Sequence, residues 1–233
     1  MTKILVLEDE DDIRAFIIIN LKRAGYEVLQ AASGEEALEV ISENSDIELA
    51  VLDVMLPGID GFEVCKKIRE DNKTMGIIML TAKSQELDKI SGLTMGADDY
   101  MPKPFSPAEL VARIDAIVRR LELSKMKDKG KRNIVSGVFA IDKSARVILK
   151  HDKEIDLTQI EYLIMKLFIE NEDQSLNREE ILKNVWGNEY YGDPKIVDVN
   201  IRRLRRKIED NPSDPKYIKT VWGYGYRWRK EED

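Results

Sequence analysis

Apolar residues in the first half of the chain come in short unbroken runs: Ile4-Leu5-Val6-Leu7, Leu49-Ala50-Val51-Leu52 and Ile77-Ile78-Met79-Leu80. Runs of that length without polar alternation fit strands buried on both faces. Strands are expected over 3–8, 27–32, 49–54, 77–81 and 99–102, with helix-period stretches between and after them. That βα alternation predicts a parallel sheet with helices on both faces. Gly25 and Ser33 mark helix ends, and Ser106-Pro107 opens the last helix of this half. In that helix Leu110, Ile114, Ile117 and Leu121 form one apolar stripe. Glu109, Arg113, Ala116 and Arg120 form a column beside it, read either as a plain i,i+4 ion pair or as a polar dimer face.

Residues 122–132 lack apolar periodicity, are rich in charge and read as a flexible linker between a domain over 1–121 and one over 133–233. The second half then changes pattern. Short strands are expected near Val138-Phe139-Ala140-Ile141 and Arg146-Val147-Ile148-Leu149. A helix follows over 157–168, whose Thr158 and Glu161 form a capping box, and a second runs from Asn177 to Trp186. A third is expected over 194–209. Its Val197, Ile201, Leu204 and Ile208 share one arc of about 60°, and Lys195, Arg202 and Arg206 the opposite arc, with Arg203 and Arg205 flanking. Residues 217–228 read as a hairpin with Gly at its tip. Helices followed by a hairpin make an α+β winged helix-turn-helix.

The net charge of −7 conceals an asymmetry: residues 1–121 carry −9 and residues 122–233 carry +2. Only the second half is therefore expected to meet a polyanion. No apolar run is long enough for a membrane span and no signal-peptide layout opens the chain, so a cytoplasmic location is expected. The single cysteine, Cys65, is read as helix packing, and the single histidine, His151, as a surface residue; together they make no zinc site.

The chemistry lies at the strand ends. One run ends in Glu8-Asp9, another in Asp53, a third in Thr81 and the fifth in Lys103. Carboxyl ends of parallel strands form the crevice where open α/β sheets hold ligands. Three carboxylates in one pocket call for a cation, and oxygen-only ligands suit Mg²⁺. The plain alternative is that Glu8 to Asp12 only decorate a helix N-terminus. With Thr81 and Lys103 nearby, the set fits a phosphoryl group on the Asp53 carboxylate, its charge neutralised by Mg²⁺ and Lys103 and hydrogen-bonded by Thr81.

This half resembles the receiver domain of response regulators through Glu8-Asp9, Asp53, Leu56-Pro57-Gly58, Thr81-Ala82, Gly96-Ala97-Asp98-Asp99-Tyr100 and Lys103-Pro104-Phe105. The second half is similar to the output domain of the OmpR/PhoB type through residues 197–205 and 223–227. The resemblance implies a doubly wound, five-stranded, flavodoxin-like α/β receiver followed by the winged helix. Asp53 is then the phosphoacceptor, with Thr81 and Lys103 beside it, and Tyr100 the aromatic switch. The metal set is Glu8, Asp9, Asp53 and the Met55 backbone carbonyl. The Lys103-Pro104 bond is cis in the family, and Met55 and Lys83 occupy positions that tune phosphoryl lifetime. The match assigns Lys89, Asp98, Asp99, Glu109, Arg113 and Arg120 to a dimer face formed on phosphorylation.

The partners so implied are a sensor histidine kinase, double-stranded DNA in tandem half-sites, a second copy of the chain, and RNA polymerase. Arg202 and Arg206 are expected nearest the bases, Lys195, Arg203 and Arg205 nearer phosphates, and Thr220, Tyr226 and Arg227 on the wing. Asn200 ranks lower because it turns toward the core, and Trp222 stands where many relatives carry Arg. The expected role is regulatory, not enzymatic. The rival is an Mg²⁺-dependent phosphohydrolase with an Asp nucleophile, which would need a second Asp where this chain has Met55. A DNA-binding protein with a silent receiver is a third reading, opposed by the complete acidic set and Lys103.

Overall fold

The computed structural model describes residues 1–82, 96–125, 134–143, 145–188, 190, 192–230. The chain divides into two compact units, Met1–Glu122 and Leu123–Asp233. Among the described residues, no helix is long and apolar enough to cross a membrane.

The first unit runs β1 Lys3–Leu7, α1 Asp11–Arg23, β2 Glu27–Ala31, α2 Gly34–Glu43, β3 Ile47–Asp53, α3 Gly61–Asp71, β4 Gly76–Ala82, β5 Asp99–Lys103 and α4 Pro107–Lys125. Its five strands are parallel in the order β2-β1-β3-β4-β5. Strand side chains alternate between faces, and the two cores separate accordingly. Leu5, Leu7, Ala50, Leu52, Ile77 and Met79 pack with Ala37 of α2 and Val64, Cys65 and Ile68 of α3. Ile4, Val6, Leu49, Val51, Ile78 and Leu80 pack with Ile17 and Leu21 of α1 and with the expected α4 stripe of Leu110, Ile114, Ile117 and Leu121. Cys65 is a buried packing residue and His151 is exposed. The Ser106 hydroxyl caps α4 by accepting from Glu109 N–H at 3.1 Å. This helix continues through Lys125, into the stretch read from sequence as linker. The helix expected between β4 and β5 falls outside the described residues.

The second unit opens with the antiparallel sheet β6-β7-β8-β9: β6 Ile134–Ser136, β7 Phe139–Asp142, β8 Val147–Lys150 and β9 Lys153–Glu154. α5 Gln159–Glu170 starts at the expected Thr158–Glu161 capping box. β10 Ser175–Asn177 leads into α6 Arg178–Trp186, which carries a second capping box, from Asn177 and Glu180. α7 Lys195–Ile208 precedes the hairpin of β11 Ile218–Val221 and β12 Gly225–Trp228. β10 pairs with β12, so the hairpin is one side of a three-stranded sheet. An aromatic cluster joins the two sheets: the Phe139 ring meets Tyr217 at 4.7 Å and Trp228 at 5.1 Å, both edge-on. The Trp228 indole N–H donates to the Ser136 hydroxyl at 2.9 Å.

Candidate functional site: an acidic pocket and a basic helix

The carboxyl ends of β1, β3 and β5 converge, because all strands of a parallel sheet end on the same edge. Asp53 closes β3 and is only 4% exposed, and Glu8, just past β1, is fully buried. Lys103 at the end of β5 reaches both: its Nζ donates to Asp53 Oδ2 at 2.9 Å and to Glu8 Oε2 at 2.8 Å. Asp9 is exposed at the mouth, and one oxygen each from Glu8, Asp9 and Asp53 lie within 4.8 Å of one another. Met55 N–H points at Asp53 Oδ1 at 3.3 Å, and Thr81 stands half-buried at the end of β4, opposite Pro102 of β5. The Lys103-Pro104 bond is cis.

Two neighbours hold this geometry. Arg14, one turn into α1, donates to the backbone carbonyls of Glu8 (2.7 Å) and Asp9 (3.3 Å), fixing the loop that carries both carboxylates. Gly61 starts α3 hard against the turn after Asp53. A Cβ there would sit 1.9 Å from the Asp53 carbonyl oxygen, so only glycine permits the approach.

Burial pushes the Glu8 carboxyl above its ordinary range, and the Asp53 charge adds to that push against the opposing Lys103. Burial alone would draw the Lys103 ammonium down, but hydrogen bonds to Asp53 and Glu8 outweigh it and its pKa is raised. One ammonium is shared between buried carboxylates. Glu8 Oε1 is also buried and has no hydrogen-bond partner among the described residues. A buried anionic oxygen without a partner is costly, and a divalent cation held by Glu8, Asp9 and Asp53 would satisfy it. The donor set is all oxygen, as hard cations require.

In the second unit α7 presents Lys195, Arg202 and Arg206 to solvent, while Val197, Ile201, Leu204 and Ile208 are buried. The hairpin is bound to this helix through Asp198, whose Oδ1 accepts from Tyr226 Oη and from Arg178 Nε, each at 2.7 Å. Arg205 donates to the Ile218 carbonyl at 2.6 Å and to Thr220 Oγ1 at 2.9 Å, and its guanidinium lies 5.5 Å from the Tyr226 ring centre. The hairpin is thereby tied to α7 at both Asp198 and Arg205.

Residues 4–115 match the response regulator receiver domain, and residues 152–228 match the C-terminal domain of transcriptional regulatory proteins. The regulatory protein VanR of Enterococcus faecium is 42% identical, over 98% of this chain and 99% of its own. The alkaline phosphatase synthesis transcriptional regulatory protein PhoP of Bacillus subtilis is also 42% identical, over 97% of this chain and 95% of its own. Among solved structures, DrrB of Thermotoga maritima, an OmpR/PhoB homologue, matches with a TM-score of 0.50 at 33% identity, covering 98% of this chain and 99% of its own. A RitR variant matches with a TM-score of 0.78 at 28% identity, covering 99% of this chain and all of its own.

The chain belongs to the OmpR/PhoB-type response regulators. It is a two-component response regulator with a receiver domain and a winged-helix DNA-binding domain.

Within this response regulator several side chains sit differently from the sequence expectation. Asp98, Asp99, Arg113 and Arg120, expected on an exposed dimer face, are buried and paired inside one chain. Arg113 Nη1 donates to both oxygens of Asp99, and Asp98 receives Arg69 at 2.9 Å and Arg120 at 3.3 Å. Glu109 pairs with Arg113 at 2.7 Å and keeps a partly exposed carboxylate. The cause is the start of β5, which brings Asp98 and Asp99 against α4 at the height of these arginines. Lys89 and Lys83 lie outside the described residues.

On α7, Arg203 is buried beside Asn200 and does not face solvent, because the buried arc extends past the predicted 60° to include Ile196, Val199 and Asn200. Arg205 and Thr220 are spent on one another, and Tyr226 is buried with its hydroxyl on Asp198. Arg227 is half-buried on β12. Tyr100 is half-buried on β5 against the α2–α3 core. Sequence reading missed Arg14, Arg69, Arg178 and Asp198 as builders of these sites. Their partners lie on other elements or on backbone carbonyls, which leave no spacing signal; only the charge of Asp198 within a basic helix hinted at it.

Proposed function

We propose that Asp53 is the phosphoacceptor of this regulator and that phosphorylation controls DNA binding by the second unit. The observation that carries it is the Lys103 ammonium bridging Asp53 Oδ2 and Glu8 Oε2 beside an unpartnered Glu8 oxygen. A carboxylate oxygen of Asp53 attacks the phosphorus of a phosphohistidine on a sensor kinase. The new P–O bond replaces the P–N bond, and the imidazole nitrogen leaves and takes a proton. Lys103 moves from the free carboxylate to a phosphoryl oxygen, and Thr81 donates its hydroxyl to another. Glu8, Asp9, Asp53 and the Met55 carbonyl would hold Mg²⁺, which would supply charge neutralisation for the transferred group.

Tyr100 follows Thr81 toward the core and reports the change to the β5–α4 face. There Asp98, Asp99, Glu109, Arg113 and Arg120 redistribute their pairs from within the chain to a second copy, and the resemblance adds Lys89 to that dimer face. The dimer places two winged helices on tandem half-sites, with α7 in the major groove and Arg202 and Arg206 at the bases. RNA polymerase is the downstream partner and the cytoplasm the compartment. The phosphohydrolase reading is not favoured, since the relatives are transcriptional regulators. Acetyl phosphate with Mg²⁺ should raise the DNA affinity of the wild-type chain and leave Asp53→Ala unchanged; an equal rise in both overturns the assignment.

A further inference from the structure

Asp98 is buried just ahead of β5, and its two carboxylate oxygens are held unequally. Oδ2 accepts from the Ile77 N–H at 2.8 Å and from Arg69 Nη2 at 2.9 Å. Its own N–H donates back to the Ile77 carbonyl at 2.8 Å, so Asp98 is pinned to β4 at two points. Oδ1 accepts from Arg120 Nη2 at 3.3 Å. Charge-assisted bonds of full strength run to about 2.7–2.9 Å. The Arg120 contact is therefore the stretched one.

Arg69 is the firmly set guanidinium. Each of its nitrogens has an acceptor: Nε donates to the Gly96 carbonyl at 2.8 Å, Nη1 to the Asn72 carbonyl at 3.0 Å, and Nη2 to Asp98. The fork thus joins the end of α3 to the loop that enters β5, a geometry only a planar multidentate donor can fill. The main chain is shaped to admit it. Gly96 has φ +92°, and a Cβ there would lie 2.8 Å from Arg69 Cγ. One guanidinium suffices to compensate one carboxylate, so the other can leave without stranding a buried charge. Arg69, committed to three acceptors of its own chain, is the one that stays.

We propose that Arg69 is a positioning residue for dimer formation: the resident counter-ion that keeps Asp98 in place while Arg120 of the same chain is exchanged for Arg120 of a second copy. Across a two-fold axis the exchange is reciprocal. Asp98 keeps a compensating charge throughout, and its seat against Ile77 does not change. The inference rests on dimerisation through the β5–α4 face, and the experiment separates the two.

Sedimentation of the full chain is followed over a concentration series with acetyl phosphate and Mg²⁺, and intact mass checks the labelling. Arg69→Gln should still be labelled at Asp53 and should dimerise about ten-fold more weakly when phosphorylated, because Arg120 can no longer leave Asp98. Arg69→Lys, which keeps the charge and cannot fill three acceptors, should fall between that variant and wild type, and it carries the test if Arg69→Gln does not fold. In an Arg120→Ala background nothing is left to exchange, and there Arg69→Lys should change dimer affinity by less than about two-fold. An arginine with a merely structural role would weaken the dimer by the same factor in both backgrounds; that result overturns the inference, as does a phosphorylated Arg69→Lys dimer as tight as wild type. If the Arg120→Ala background does not dimerise measurably, the same cycle is read from urea midpoints of the unphosphorylated chain. The two substitutions together should then cost more than their sum, and additive costs overturn the inference. A wild-type chain that takes up the phosphoryl group and stays monomeric overturns the dimer reading and this inference together.

Discussion

Arg113 Nη1 donates to both carboxylate oxygens of Asp99, at 3.1 and 2.9 Å, and both side chains are buried. Removing one member of a buried pair takes a compensating charge from the other, at a cost of up to about 3–5 kcal/mol. Arg113→Ala should therefore lower the urea midpoint of the receiver unit, whatever it does to association. Asp99→Asn in the same background should recover part of the loss, because the buried negative charge is gone. A variant with wild-type stability would mean that the pair is not formed in the free chain.

The acidic pocket predicts a metal-linked stability. Two of the three clustered carboxylates, Glu8 and Asp53, share one ammonium and Asp9 adds a third charge, so a divalent cation that binds only the folded state should raise the melting temperature with concentration. Asp9→Ala should abolish most of that rise while leaving the metal-free melting temperature equal or higher, since a repelling charge has been removed. Calorimetric scans across a Mg²⁺ series decide it; an identical rise in Asp9→Ala would remove Asp9 from the metal set.

These arrangements were unequally legible beforehand. Asp53 could be placed in the crevice because an unbroken apolar run ends at it, and Lys103 because the short fifth strand leads to it; a parallel sheet forces those ends to one edge. The helix starts at Ser33, Ser106 and Thr158 were legible for a similarly local reason, a side chain capping its own helix. The strands β6, β9 and β10 were missed because two or three residues show no period. Arg203 was misplaced because a helical wheel fixes angles but not how far the neighbours wrap around. α5, α6 and the sheets cover more of α7 than its four aliphatic residues reveal. Burial of Asp98 and Asp99 depended on a tertiary approach of β5 to α4 that no local pattern carries.

Tyr226 gives a pH prediction. Burial, followed by the hydrogen bond to Asp198, pushes its phenol up to about 12 from an ordinary value of 10. A raised pKa means that the protonated phenol is favoured in the folded state. Its contribution is fully present below pH 10 and is lost as pH climbs from 10 through about 12. Tyr226→Phe should be less stable at neutral pH and should show a shallower decline over that window. Unfolding monitored by far-ultraviolet circular dichroism provides the comparison; parallel curves would contradict the hydrogen bond to Asp198.

The two faces of α7 should separate in binding and stability. Arg206→Ala should relax sequence preference at a cost of about 1–3 kcal/mol and reduce the salt slope by about 1, as expected for an exposed cation. Arg203→Ala should instead destabilise the domain with little change of sequence preference, because Arg203 is buried beside Asn200. Competition binding at fixed salt, paired with denaturation, separates these outcomes; the reverse assignment would mean that the helix is rotated.

The central claim is that Asp53 carries the phosphoryl group. Intact-mass measurement after incubation with acetyl phosphate and Mg²⁺ tests it most directly. The wild-type chain should gain one phosphoryl group, Asp53→Ala should gain none, and Asp9→Ala should lose most of the metal-dependent labelling. Equal labelling of the wild-type chain and Asp53→Ala would contradict the account.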